Sequence, residues 1–285
     1  MGEVFPAVYR AGSGEPLLLL HGFTGTWRHW RPLLDGLTAD HEVIAPTLAG
    51  HDGGPAFPSD LPMSFASLGD LLESHLDELG VDTAHVVGNS LGGALALELA
   101  KRGRARSVVA LAPAGGWSDG DGEALRIARF FARQIRGARA TRRLTATIMK
   151  RPRSRRLALR DIMRHGHRVA PADGVDLAYT STRCSVSAPA IAALRADDGL
   201  ALGDLDRIRC PVLLVASEFD RVLPPDRHTP RFLREIPGVE SRTLTDCGHL
   251  PMWDASELLV EMIAEFVARD AAPAPHADLV VAGDS

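Results

Sequence analysis

An α/β fold with a mostly parallel central sheet, flanked by helices and carrying an inserted helical cap, is predicted by three observations. Apolar strand-like runs alternate with helix-like runs from Pro16 to about Ala112, and they do so again from Cys210 to Arg269. Between roughly Ala114 and Leu205 the strand signal vanishes and helix-like stretches dominate. Alternating β and α segments bury a parallel sheet between helical layers, so the first two stretches belong to one sheet domain and the third interrupts it. The boundaries that follow are an α/β core over 1–113 and 206–270, a helical cap insertion over 114–205, and a flexible C-terminal tail over 271–285.

A chain of 285 residues with 45% hydrophobic content can bury a core of that size. The segment from Met1 to Glu15 lacks the charged start and long apolar stretch of a secretion signal, and no apolar run approaches the length of a membrane span. A soluble, cytoplasmic protein is expected. Three scattered cysteines, Cys184, Cys210 and Cys247, suggest neither a disulfide framework nor a metal site.

The first strand is Pro16–Leu20, an uninterrupted apolar run that ends in His21-Gly22-Phe23. A second, Val43-Ile44-Ala45, is followed by Gly50-His51-Asp52. A third, Ala84–Val87, leads into Gly88-Asn89-Ser90-Leu91-Gly92 and then directly into the helix-forming run Ala94–Ala100. This is a strand, a tight turn and a helix. A serine at such a turn takes a strained backbone conformation that lifts its hydroxyl clear of the sheet, and small residues two positions on either side let strand and helix approach. Ser90 is therefore a candidate nucleophile.

A serine nucleophile needs a base, and the base needs an acid to orient it. Pro211–Ala216 reads as a buried strand with Asp220 just beyond its end, and Ser241–Thr245 as a shorter one followed by Cys247-Gly248-His249. Residues just past the carboxyl ends of neighbouring parallel strands share one crevice, so Ser90, Asp220 and His249 can converge. Glu218, Asp246 and Asp254 compete with Asp220 for the acid. Asp220 is preferred because its short loop before Pro224-Pro225 lets a carboxylate turn toward a neighbouring histidine. Cys247 is read as structural, since Ser90 already has the turn that the chemistry requires.

The chain order Ser, Asp, His resembles that of the α/β-hydrolase superfamily, and the resemblance runs from about Glu15 to Arg269, including the turn His21-Gly22-Phe23. It implies that the backbone N–H groups of Phe23 and Leu91 form an oxyanion hole, and that the cap lies over the crevice and shapes the substrate pocket. The implied activity is that of a cofactor-independent serine hydrolase acting on a small or medium carboxylic ester, lactone or thioester, with no metal. Gly88-Asn89-Ser90-Leu91-Gly92-Gly93 and Cys247-Gly248-His249 also resemble motifs of meta-cleavage product hydrolases, which break C–C bonds. Those enzymes usually carry a glycine-rich turn where this chain has Phe23–Trp27, and a tryptophan where it has Leu250. Epoxide hydrolases and haloalkane dehalogenases resemble it around His21-Gly22-Phe23 but use a carboxylate nucleophile, against which Ser90 argues. A non-catalytic ligand receptor on the same fold is a further alternative.

The predicted cap is strongly basic: from Arg126 to Arg168 there are fourteen Arg and one Lys against one acidic residue, Asp161, a local charge of +14 in a chain of net charge −4. Arg126, Arg129, Arg133 and Arg136 fall at helical spacing on one face. The simplest role is a solvated face that offsets the acidic remainder; the sharper one is contact with an anionic ligand or partner. No nucleic-acid motif accompanies the arginines, so nucleic acid is not expected as a partner. Pocket-lining candidates among the aromatic residues are Trp27, Trp117 and Trp253.

Overall fold

The computed structural model describes residues 5–118, 120–196 and 200–271. Its centre is a seven-stranded sheet built from β1 (Val8–Ala11), β2 (Glu15–Leu20), β3 (His41–Pro46), β4 (Ala84–Asn89), β5 (Ala105–Leu111), β6 (Val212–Ser217) and β7 (Glu240–Leu244). The spatial order is β1-β3-β2-β4-β5-β6-β7, with β1 antiparallel to β3 and every other pairing parallel. The α/β-hydrolase fold expected from the sequence is what the chain adopts.

The central strands are apolar at successive positions because both faces of the sheet are covered. In β2, Leu18 and Leu20 enter one core while Leu17 and Leu19 enter the other. The same alternation separates Val108 and Ala110 from Val109 and Leu111 in β5, and Val212 and Leu214 from Leu213 and Val215 in β6. Helices α2 (Phe65–Glu78), α3 (Leu91–Lys101) and α9 (Pro225–Glu235) cover the first face, burying Leu72, Leu95 and Phe232. Helices α1 (Arg31–Leu37), α10 (Pro251–Asp254) and α11 (Ser256–Ala271) cover the second with Leu33, Met252, Ile263 and Phe266.

Between β5 and β6 the described residues contain only helices: α4 (Glu123–Ala140), α5 (Thr145–Lys150), α6 (Pro152–Leu159), α7 (Pro171–Arg183) and α8 (Ser187–Arg195). Two tight anchors tie this stretch to the histidine loop. Leu250 N–H donates to the Ile162 carbonyl at 2.9 Å, and Asp254 accepts from Gly248, Arg164 and His165 N–H at 2.7–2.9 Å.

Strand β1 was not foreseen. It has four half-buried or exposed residues on the sheet edge, too short and too weakly apolar to stand out from the chain around it. Arg126 also departs from expectation. Arg129, Arg133 and Arg136 are exposed on α4, but Arg126 turns inward, its Nε donating to Glu123 at 2.7 Å and its Nη2 to the Val222 carbonyl at 2.7 Å. Asp197-Asp198-Gly199, whose composition predicts a break in the helical stretch, lies outside the described residues, as does the C-terminal tail apart from Ala271 at the end of α11.

Candidate active site

The nucleophile candidate stands where β4 gives way to α3. Ser90 has φ 55° and ψ −114°, a region that L residues rarely occupy, and it is held there by its neighbours. Its N–H donates to the Leu111 carbonyl at 2.9 Å, and its own carbonyl accepts from Ala114 N–H at 2.9 Å and Ala94 N–H at 3.0 Å. Two glycines make the turn possible by close approach. A Cβ on Gly88 would sit 2.1 Å from the Gly92 carbonyl oxygen, and one on Gly92 would sit 2.0 Å from that of Leu20.

Asp220 and His249 arrive from the loops after β6 and β7. The pairing of Ser217 with Leu244 brings those strand ends level, so the two loops begin side by side. His249 Nδ1 lies 2.6 Å from Asp220 Oδ2, with both side chains buried. Asp220 Oδ1 accepts from the N–H groups of Val222 and Leu223, each at 2.8 Å, so both carboxylate oxygens are engaged. A carboxylate fixed this way holds Nδ1 as the protonated ring nitrogen and leaves Nε2 as the acceptor. Asn89 Nδ2 donates to the His249 carbonyl at 3.0 Å and to that of Leu111 at 3.3 Å, pinning the histidine loop to the serine strand.

The competing acids are committed elsewhere. Glu218 accepts the N–H of Asp246 at 2.9 Å. Asp246 pairs with Arg164 and His165, which hold its carboxyl below the usual range, and Asp254 caps backbone groups as described above. Cys247 is buried, and burial pushes its thiol up to about 12, so it carries no thiolate at neutral pH.

Ser90 faces two cavities. The larger, of about 330 Å³, is lined by Phe23, Thr24, Asn89, Ser90 and His249 on the sheet side and by α4 to α7 on the other, through Gln134, Ile148, Leu159 and Leu177. The smaller, of about 60 Å³, is almost wholly apolar, with Met63, Phe65, Leu68, Trp117, Ile127 and Leu194 in its wall. Phe23, Ser90, Phe131 and Val222 border both. Phe131 meets Phe23 edge to face at 4.9 Å, so an α4 side chain stands between the two spaces that Ser90 borders.

Phe23 borders both cavities and Leu91 the smaller one. Leu91 opens α3, where the first N–H groups of a helix have no partner within it, and Phe23 follows β2 in a turn where Thr24 has φ 64°. Behind that turn lies a buried histidine cluster. His21 Nδ1 donates to the Gly22 carbonyl at 2.8 Å while its Nε2 accepts from Leu48 N–H at 2.9 Å, which fixes its tautomer and gives it a structural task. Burial drives His21 well below the usual imidazole range and pushes His29 and His51 down to about 4. All three are neutral at pH 7, and their rings stack edge to face with His21 between the others.

Of the aromatic lining candidates, Trp117 borders the apolar cavity, whereas Trp27 packs on Phe5 and Tyr9 and donates to the Pro6 carbonyl. Trp253 borders a surface groove beside Arg168. The roles of Asn89 and Arg126 carried no sequence signal beyond adjacency to the turn and membership of a basic run. Among the described residues, no group of three or more His, Cys, Asp or Glu side chains is placed to hold a metal ion.

Comparison with known proteins agrees with this geometry at the level of family. Residues 17–262 match the Alpha/beta hydrolase family. The chain is 36% identical over 214 residues to Epoxide hydrolase EphH of Mycobacterium tuberculosis, spanning 72% of this chain and 95% of that protein. A Putative carbamate hydrolase RutD of Azorhizobium caulinodans is 37% identical over a shorter stretch, 39% of this chain and 41% of that protein. Among solved structures, a thermophilic esterase from Thermogutta terrifontis superposes with a TM-score of 0.72 at 22% identity, covering 93% of this chain and 94% of that one. A meta-cleavage product hydrolase from Pseudomonas fluorescens gives a TM-score of 0.67 at 22% identity, covering 92% and 93%.

Proposed function

The chain belongs to the alpha/beta hydrolase family, and we propose that within it this protein is a cofactor-independent serine hydrolase of a small or medium carboxylic ester, lactone or thioester. The observation that carries the reading is the convergence on one cavity of Ser90, in its strained turn, with His249, whose ring is oriented by Asp220 at 2.6 Å. Ser90 Oγ attacks the substrate carbonyl carbon while His249 Nε2 takes its proton. The oxyanion that forms is stabilised by the N–H groups of Phe23 and Leu91. His249 then returns the proton to the leaving alcohol or thiol as the C–O or C–S bond breaks. Water, deprotonated by the same nitrogen, attacks the acyl-enzyme and frees the carboxylic acid and Ser90.

Helices α4 to α8 act in this scheme as the cap, and Phe131 separates the two halves of the substrate. The apolar cavity suits a short acyl chain and the larger one the leaving group, because the scissile carbonyl must sit at Ser90, where they meet. Two buried free thiols, Cys184 and Cys247, accord with a cytoplasmic setting. Among the described residues, no helix is long and apolar enough to cross a membrane.

Hydrolysis of p-nitrophenyl esters from acetyl to dodecanoyl by the native chain and by Ser90→Ala tests the assignment. Loss of at least about a thousandfold in kcat with the fold retained is expected; full activity in Ser90→Ala would overturn it. The likeness to an epoxide hydrolase favours a second reading, epoxide opening, although Ser90 stands where such enzymes carry a carboxylate. Turnover of an aryl epoxide that survives in Ser90→Ala would favour that second reading.

A further inference from the structure

The cap carries a cationic surface that nothing in the proposed chemistry uses. From Ala124 to Arg160 there is no acidic residue. Arg129, Arg133, Arg136 and Arg139 of α4 and Arg142 and Arg143 of the following turn are exposed, and no carboxylate among the described residues pairs with any of them. The same holds for Lys150, Arg151, Arg153 and Arg156, at the end of α5 and along α6. Helix α4 contacts the turn, the turn contacts α5, and α5 contacts α6, so the elements that carry these exposed cations are joined in space as well as in sequence.

Two further observations distinguish it from a merely solvated face. Leu144 and Leu157 are 59% and 61% exposed, more than any other large hydrophobic side chain among the described residues, and both stand among these cations. Gly137, Thr141 and Ala158 are exposed and also line the 330 Å³ cavity, so the route to Ser90 opens within the same surface.

We propose that this face of the cap docks on an anionic phospholipid surface, with the guanidinium groups on headgroup phosphates and Leu144 and Leu157 in the acyl boundary. Guanidinium groups bind phosphate oxygens in pairs, and exposed leucines among them match a layer in which charge overlies hydrocarbon. An acidic protein patch would satisfy the cations but offers the leucines no hydrocarbon. Docking in this pose would turn the cavity mouth toward the bilayer, so that an apolar ester dissolved there could enter directly. That second step rests on the hydrolase reading; the docking does not.

The experiment is co-sedimentation of the full chain with vesicles of phosphatidylcholine alone or mixed with phosphatidylglycerol, at low and at ~0.15 M salt. Binding to the anionic vesicles at least about tenfold tighter than to the neutral ones is expected, weakening with salt. Arg142→Glu with Arg143→Glu should lower it about tenfold or more, and so should Leu144→Asp with Leu157→Asp. Ser90→Ala should bind like the native chain, which separates this result from the fate of the catalytic assignment. Equal binding to both vesicles, full binding by the leucine variant, or equal capture on immobilised polyglutamate would overturn the proposal, the last in favour of an acidic protein partner.

Discussion

Asp220 holds His249 through one carboxylate oxygen, at 2.6 Å, and the backbone of its own loop through the other, at 2.8 Å to both Val222 and Leu223. The acid therefore sets the shape of its loop and the tautomer of the ring together. Asp220→Asn keeps an Oδ1 acceptor for the loop but presents an amide N–H to Nδ1, which forces the proton onto the wrong ring nitrogen. In the proposed ester hydrolysis, kcat should fall on the order of 10⁴-fold with the melting temperature little changed. Activity within tenfold of the native chain would remove Asp220 from its assigned role.

Arg126 is the next support outward. It donates to the Val222 carbonyl, and the same residue's N–H holds Asp220, so α4 braces the acid loop from behind. Glu123 keeps Arg126 in place and also meets Arg227 and His228; against the opposing effect of burial, the Arg126 and Arg227 guanidinium groups hold the Glu123 carboxyl below its usual range. Arg126→Met should lower kcat roughly ten- to a hundredfold with little change in KM. Arg126→Lys should recover part of it. A loss confined to KM would make the contact a matter of pocket shape.

The two cavities at Ser90 should be separable by mutation. Ile127 lines only the apolar one, so Ile127→Phe fills it, while Ile148 lines only the larger one. Ile127→Phe should shift preference toward acetyl esters over longer acyl chains by about tenfold or more, since a single methylene is worth that much in a tight apolar site. Ile148→Trp should leave acyl preference intact and discriminate against bulky leaving groups. Specificity constants across the two substrate series decide it.

The turn itself can be probed by stability. Gly92→Ala drives a methyl into the Leu20 carbonyl and should cost on the order of 3 kcal/mol or more in denaturant unfolding. Gly80→Ala, at a residue with φ 71° and open space around it, should cost only about 1–2 kcal/mol from backbone strain. Equal losses would mean that close packing at Gly92 is not what constrains the turn.

The buried histidines give a pH signature. His29 and His51 have folded values near 4, below the ordinary 6.5, and His21 is displaced in the same direction. Between about pH 4 and 6.5 the unfolded chain binds more protons than the folded one, so stability is full above 6.5 and is lost as pH falls through that window. The carboxylates Glu15, Glu123 and Asp246, whose values are lowered, lose their contribution further down, as pH falls below about 4.5. Melting temperature should therefore plateau above pH 6.5 and fall steeply before the carboxylates titrate. His51→Gln should flatten the upper part of the fall.

What the sequence determined by itself is whatever local pattern encodes. Five of the seven strands, the turn at Ser90, the helical stretch from Ala114 and the order of Ser90, Asp220 and His249 are written in short windows; the buried strands β2, β3, β4 and β6 carry apolar runs, whereas β7 is mostly exposed, and a strand-to-helix turn needs its glycines. Strand β1 escaped because an edge strand with one covered face needs no such run. The tertiary structure alone decided what depends on distance between segments far apart in the chain. The short loop of Asp220 sets it apart from Glu218, Asp246 and Asp254 in the sequence, but only the positions of β6, β7 and the loops between β5 and β6 bring it to His249 and commit the other three elsewhere. Arg126 likewise reads as one arginine of a basic face until Glu123 and Val222 turn it inward. The two cavities flanking Ser90 exist only because α4 lays Phe131 against Phe23, a contact between residues 108 positions apart that no local window contains.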